Sequence, residues 1–366
     1  MTMFKKMLFE IDKVEKSKNK STCLIEDCNV HAINSHLFSK NSILEPITEN
    51  KKLITIQSRV NPRVIFRDMH YEWIGINLAS TFKGFCSQHD SIFYSIDKDG
   101  IKSEQDVLLQ SYRTIAYSYY KEFIFGKNES KIFGTNTFHI DAYEKSKKSN
   151  NHLMMTFLED MLLKQNYVLD SPLDIPHNSC KVYELANNNI KTGSCILVRK
   201  TNFFIPVAFH FTTGIGIDGV ISDITITTIP NTDHNIIIIC GFDKHVNKIN
   251  NQFYTDISTL NFLESIMIND SDFYLSPSEF DSWSEEKKQF ILDEYYSFDD
   301  TNLLKKHDFS VFDKVRESIT SDKGELEKIE KLPKRTQKHV RSINASRIFI
   351  NSYKLRNSYS NNKRPK

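Results

Sequence analysis

Four residues in the first quarter of the chain have the types and spacing of a metal site. Cys23 and Cys28 are separated by four residues, and Cys86 and His89 by two. Zinc favours four thiolate or imidazole ligands in a tetrahedron, and two short knuckles far apart in sequence can each supply two of them. Each knuckle needs a tight turn that points both ligands inward. Glu26-Asp27 and Ser87-Gln88 are small or polar enough to make one. His31 is a competing fourth ligand, and chance clustering of Cys and His on a small core is the competing explanation. The paired spacing favours structural zinc. Six cysteines in 366 residues do not make a disulfide framework, and in a reducing compartment paired cysteines point to metal.

The runs that carry these ligands, CLIEDCNVHAINSHLFSK at 23–40 and GFCSQHDSIF at 84–93, resemble the HNH, or ββα-metal, endonuclease motif. In that family a cysteine pair precedes a strand bearing the catalytic histidine. A second Cys pair or Cys-x2-His then leads into a helix with a further metal ligand. The resemblance places His36 as general base and Asp90 as helix ligand of a second divalent cation such as Mg or Mn. The base would deprotonate water while the cation offsets phosphate charge. Ser35 occupies the position before the base, where the family usually has an Asp or His ligand. The family's middle Asn has Asn34, Asn41 and Asn77 as candidates. The chain is also similar to uncharacterised bacterial proteins with an SH-x-x-x-K … C-x-x-H/C signature, some found near anti-phage functions. The resemblance covers residues 20–125, and SPSEFDSW at 276–283 extends it weakly. It implies a nucleic-acid-associated zinc protein, with nuclease activity as an effector in bacterial defence. The alternative is a non-catalytic zinc-stabilised binding or sensor module acting through a partner protein.

Other constellations are weaker. Gly214-x-Gly216-x-x-Gly219 matches the dinucleotide fingerprint by letter, but the strand-like VISDITITTI follows instead of the helix the fingerprint needs. A Gly-rich hairpin is expected there. His177-x2-Cys180 lacks a second pair and reads as turn chemistry. Cys195 and Cys240 sit in apolar runs and read as small buried hydrophobes. The acids of 279–300 read as a solvated helix face.

The elements that must position these residues follow from periodicity. Short strands are expected at Leu53–Ile56 and Arg63–Arg67, and a short helix at 89–97 ending at Asp99-Gly100. A capping box at Ser103–Asp106 opens a long helix to Phe125, with Gly126 as its C-terminal cap. A second helix is expected from His152 to Gln165. Between 180 and 243, KVYELA, SCILVRK, FIPVAFHF, VISDITITTI and NIIIICGF read as strands, and helices return at 258–268 and 284–296. FYLSPSEFDSW reads as a turn-rich lead. The fold class is therefore α+β. A zinc-closed ββα-metal-like module with its helix spans 1–130, a helical connector 131–170, a mainly antiparallel sheet domain 171–300, and a helical or disordered basic region 301–366.

Hydrophobic residues at 39% and aromatics at 12% are enough to build cores and exclude a broadly disordered chain. The net charge of +2 hides an asymmetry. Eleven of the 48 Lys and Arg lie between Lys331 and Lys366, where there is no Asp or Glu, leaving 37 bases against 46 acids elsewhere. Such a block suits a polyanion. Lys334, Arg335, Lys338, Arg341, Arg347, Lys354 and Arg356 are the candidate DNA- or RNA-binding residues. Phe349 and Tyr353 lie among them and could stack on bases. A solvated tail, or a helix folding back on Val340, Ile343, Ile348 and Ile350, is the competing reading. No apolar run reaches the ~20 residues of a membrane-spanning helix, and the N-terminal apolar stretch is too short for a secretory signal. A cytoplasmic location with no membrane partner is the expectation.

Overall fold

A computed structural model describes residues 21–60, 67–133, 149–165, 168–169, 171–187, 190–218, 220–269, 271–295, 310–334 and 337. It is a mixed α+β structure built on a large antiparallel sheet. Strands β1 (Ser35–His36), β2 (Lys52–Val60), β3 (Arg67–Gly75) and β4 (Thr81–Phe82) come first. Helices α1 (Ser87–Asp90), α2 (Tyr94–Asp99), α3 (Glu104–Phe133) and α4 (Asn150–Glu159) follow. Next come β5 (Ser179–Asn187), β6 (Ile190–Lys200), β7 (Val207–Ile217), β8 (Val220–Pro230) and β9 (Asn235–Phe242). Helices α5 (Asp243–Asn250) and α6 (Asp256–Met267), strand β10 (Asp272–Leu275), and helices α7 (Pro277–Asp281), α8 (Glu285–Tyr295), α9 (Asp313–Ser321) and α10 (Lys323–Glu330) complete the order. No helix among the described residues is long and apolar enough to cross a membrane.

Eight strands form one sheet in the order β3-β2-β10-β7-β8-β9-β6-β5, and every neighbouring pair is antiparallel. The hairpin β2–β3, which lies between the two cysteine pairs in sequence, thus forms one edge of this sheet. Both faces of the sheet are covered. Leu197, Phe209, Ile224, Ile237, Ile239 and Phe273 pack with α5, α6 and α8 on one face. Ile196, Val198, Ala208, Ile236, Ile238 and Tyr274 pack on the other with α3, α4 and the Cys/His segment. That is why Ile236–Cys240 is an unbroken apolar run: each residue is buried whichever way it points. Unbroken apolar runs are usual where a sheet is covered on both faces.

The capping box forms as expected. Asp106 Oδ2 accepts from Ser103 N at 2.9 Å, and Ser103 Oγ accepts from Asp106 N at 3.1 Å. The helix it opens does not stop at Gly126 but runs to Phe133. A helix interior tolerates a glycine at a cost of about 1 kcal/mol, so a lone Gly is a weak stop signal. The lead before α8 also differs from expectation. Asp272–Leu275 is a strand inserted between β2 and β7, with Phe273 and Leu275 fully buried. Four residues are too few for alternation to announce a strand. The second strand of the first hairpin lies at Arg67–Gly75, C-terminal to the expected Arg63–Arg67; residues 61–66 are outside the described residues. Gly214 and Gly216 lie in β7, paired with Asp223 and Ile221 of β8. Gly214 and Gly216 are therefore part of a hairpin, and Gly219 lies outside the described residues.

Candidate metal centre

The first knuckle is a short hairpin. Thr22 and His31 face each other across an antiparallel bridge. Cys23 N donates to Val30 O at 2.9 Å, and Cys28 N donates to Ile25 O at 3.1 Å. The turn requires a left-handed residue, supplied by Asp27 at φ 62°, a conformation Asp tolerates better than most residues. The second knuckle runs from β4 into α1. Gly84 lies so close to the Phe82 ring that a Cβ would sit 2.2 Å from it. Leu24 N donates to Gly84 O at 2.8 Å and ties the two knuckles together. Cys86 precedes α1, and its carbonyl accepts from Asp90 N at 2.8 Å.

These turns bring Cys23, Cys28, Cys86 and His89 together, with ligand atoms all within 4.8 Å of one another. Cys23 Sγ and Cys86 Sγ each lie 3.4 Å from His89 Nδ1, and Cys28 Sγ lies 3.9 Å from Cys86 Sγ. With metal–sulfur bonds of about 2.3 Å and metal–nitrogen bonds of about 2.0 Å, a tetrahedral site has edges of roughly 3.5 Å (S···N) and 3.8 Å (S···S). The cluster could therefore hold a metal ion such as zinc through its four side chains. His31 is exposed and lies outside this set. Burial pushes the Cys23 thiol up to about 12. At Cys86 burial acts in the same direction, but hydrogen bonds from the His89 and Gln88 backbone and from neighbouring thiols hold the group below its usual value.

Beside this cluster β1 pairs with β4 through Ser35↔Phe82 and His36↔Thr81. His36 is half-buried, and its Nδ1 lies 3.0 Å from Ala79 O. Burial holds its pKa below the ordinary value, opposed by the Ala79 carbonyl and by Asp97 and Asp90. Asp90 follows His89 at the end of α1. Burial raises its carboxyl, and a Ser35 hydrogen bond lowers it; its Oδ1 has no hydrogen-bond partner among the described residues. Ser35 is fully buried, and its Oγ accepts from Phe85 N at 3.3 Å.

Arg113 of α3 had no place in the sequence reading. It is 1% exposed, donates to Asp97 Oδ1 and Oδ2 at 2.8 and 3.0 Å, and lies 4.1 Å over the Phe93 ring. Arg113 and Asp97 act electrostatically on both His36 and Asp90. Only spatial proximity reveals this pair, because its members are 16 positions apart in the chain. Of the basic residues at the C-terminus, Lys334 is exposed. Arg335, Lys338, Arg341, Arg347, Lys354 and Arg356 lie outside the described residues. No family model, no curated protein and no solved structure matches the chain.

Proposed function

We propose that the chain is a zinc-organised, nucleic-acid-acting protein in which His36 and Asp90 form a degenerate HNH-like site for phosphodiester cleavage. In this reading zinc on Cys23, Cys28, Cys86 and His89 is structural, because four protein ligands leave no position for substrate. The pairing of β1 with β4, which leads into α1, supports the ββα-metal reading, although the β2–β3 hairpin intervenes between the two strands. The observation that carries the reading is the Ala79 carbonyl at His36 Nδ1. When Nδ1 donates there, Nε2 is the unprotonated nitrogen, which is what a general base needs. Burial also favours the neutral ring near pH 7.

Asp90 Oδ1 is the free carboxylate oxygen beside this base. A second divalent cation held there would stabilise charge on the scissile phosphate. His36 would take the proton from water, Asp97 and Arg113 would set the local field, and the basic residues from Lys331 onward would hold the polyanion. A role in bacterial defence rests on the resemblance alone.

A second reading is favoured by Ser35. Its hydroxyl accepts from Phe85 N and hydrogen-bonds Asp90 inside the protein, so β1 offers no charged companion ligand beside Asp90. The module would then be a zinc-stabilised binding or sensor surface acting through a partner protein. A nicking assay on plasmid DNA and structured RNA, with Mg²⁺ or Mn²⁺ and the zinc content verified, separates the two. Cleavage that falls by roughly 100-fold or more in His36→Asn, the range for general-base loss, supports the enzyme. Cleavage unchanged in that variant removes His36 from the mechanism, and no cleavage by the zinc-loaded wild type favours the binding module.

A further inference from the structure

In the sequence His177-x2-Cys180 could bind metal but lacks a second pair and reads as turn chemistry. In the structure the mate of His177 is not Cys180. Sheet register supplies it: Ser179 of β5 pairs with Lys200 of β6, and Lys200 pairs with Ile236 of β9. His177 precedes the first of these strands by two residues and His234 precedes Ile236 by two. Both therefore reach the same end of the sheet from 57 residues apart. Their rings lie 5.4 Å apart between centroids, and Asp233 stands beside them. His177, Asp233 and His234 each present one ligand atom within 4.8 Å of the other two.

We infer that His177, Asp233 and His234 form a second, exchangeable binding site for a zinc-class divalent ion at the corner where the segment entering β5 meets the β8–β9 turn.

The frame around the three side chains is fixed by backbone bonds. Asn178 N donates to Lys200 O at 2.8 Å, and Asn178 holds a left-handed φ of 58°. The Arg199 guanidinium donates to both Asn178 O and Asn178 Oδ1, at 3.3 and 2.6 Å. On the other side, Asn231 N donates to His234 O at 2.9 Å and Thr232 N donates to Asn231 Oδ1 at 2.8 Å, which closes the turn. Asn231 Nδ2 lies 3.3 Å from His234 Nε2, and Asp233 Oδ1 lies 2.6 Å from His234 Nδ1. If Asn231 donates to Nε2, the ring proton is on Nδ1 and is shared with Asp233. A divalent ion bound between that nitrogen and that oxygen takes the place of the proton. With metal–ligand bonds of about 2.0–2.2 Å, a tetrahedral site needs this N···O pair to open from 2.6 Å to roughly 3.4 Å.

The ligand chemistry selects the ion. Two imidazoles and one carboxylate suit Zn²⁺, Co²⁺, Ni²⁺ or Cu²⁺, whereas Mg²⁺ and Ca²⁺ favour shells of oxygen. Three protein ligands leave a position for water, unlike the four-ligand cysteine cluster. His177 and Asp233 are exposed, while His234 is buried. The ion is thus reached directly from solvent on one side.

Cobalt titration of the full chain tests the inference, because the two centres give different spectra. Filling the cysteine cluster produces intense sulfur-to-cobalt charge transfer in the near ultraviolet. The second equivalent should add only weak visible bands with no further charge transfer. His177→Ala, an exposed substitution that spares the fold, and Asp233→Asn should each weaken that equivalent by about tenfold or more. Loss of outer-shell partners alone costs about 10–100-fold at known sites, and these are direct ligands. Charge transfer should be unchanged in both variants, and millimolar Mg²⁺ should not compete. A wild-type chain that takes up one cobalt only would overturn the inference, as would a second equivalent of equal affinity in His177→Ala.

Discussion

The cysteine–histidine segment and the eight-stranded sheet lie against the same core, but their order comes from different sources. The sheet strands are eight to eleven residues long except for β10, and their apolar residues are buried on two faces. The metal segment has two strands of two residues each and a helix of four. A two-residue ribbon and a single helical turn have little intrinsic stability. What holds them is a four-ligand cluster, a few cross-knuckle bonds such as Leu24 N to Gly84 O, and aromatic packing of Phe82, Phe85, Phe93 and Tyr112. One region is ordered by burial alone, whereas the other adds to its burial a cluster that could hold a metal ion. The β2–β3 hairpin links them, because it leaves the metal segment to complete the edge of the sheet.

The sharpest way to break this contrast is to remove the metal. Apparent metal-binding free energies at structural zinc sites are on the order of 10 kcal/mol, and they act as folding energy. Chelation, or Cys86→Ser, should therefore abolish hydrogen-exchange protection at 23–38 and 79–93 while β7, β8 and β9 remain protected. Mass-spectrometric exchange on holo and metal-free protein would read both regions at once. Retained protection in the metal-free segment would mean that its aromatic core suffices. Loss throughout the sheet would mean that the hairpin makes the two regions one cooperative unit.

The converse experiment attacks the sheet. Phe209 is fully buried in β7, a strand from the middle of the sheet, and Phe209→Ala should cost about 3–5 kcal/mol from lost transfer energy and an unfilled cavity. Denaturant melts would show the loss, and the stoichiometry of bound metal in the still-folded fraction should not change. A variant that loses metal in proportion to stability would erase the distinction between the regions.

These two regions also differed in how legible they were in the sequence. The cysteine cluster was read from spacing because ligand chemistry is specific to residue type. The strands of 180–243 were read from alternation and apolar runs, and each has its counterpart in β5 to β9. The sequence did not show that the sheet passes through β10 to a hairpin inserted between the two knuckles. Asp272–Leu275 is too short to carry a period, and its partners, Ile54 and Val207–His210, are far away in the chain. Arg113 was missed for a related reason, since on an apolar helix face a basic residue reads as exposed until its carboxylate is located. His177-x2-Cys180 reads as turn chemistry in the sequence, because His234, whose ring lies beside that of His177, is 57 residues away.

A third prediction concerns pH and belongs to the face of the sheet under α3. His210 is buried there, with Nε2 2.9 Å from Ser118 Oγ and Nδ1 3.3 Å from Thr227 Oγ1. Burial pushes its pKa down to about 3, against 6.5 for the free side chain. The unfolded chain thus binds a proton between these values and the folded chain does not, so stability present above pH 6.5 is lost as the pH falls toward 3. From pH 7 to 5 this single group should remove about 1–2 kcal/mol. His210→Gln should flatten that part of the pH–stability profile relative to wild type, whatever it does to stability at pH 7. An unchanged slope would show that His210 is hydrated in solution.

The smallest effect probes the junction. Ser103 caps α3, and Asp106 accepts from Ser103 N, from Lys102 N at 3.1 Å and from Ser95 Oγ at 2.9 Å. Ser95 belongs to α2, and Arg113, about two turns further along α3, grips Asp97 of the same short helix. The start of α3 is thus held by the metal segment, whereas its continuation packs on the sheet through Ser118 and His210. Ser103→Ala removes one capping acceptor and should cost about 1 kcal/mol in the metal-loaded protein. If α2 loses order with the metal, the first turn of α3 frays with it and the cap has nothing left to stabilise. The cost measured by denaturant melts should then shrink toward zero in the chelated protein. An equal cost with and without metal would assign the whole of α3 to the sheet and move the boundary between the two regions to Gly100, where the chain turns at φ 76°.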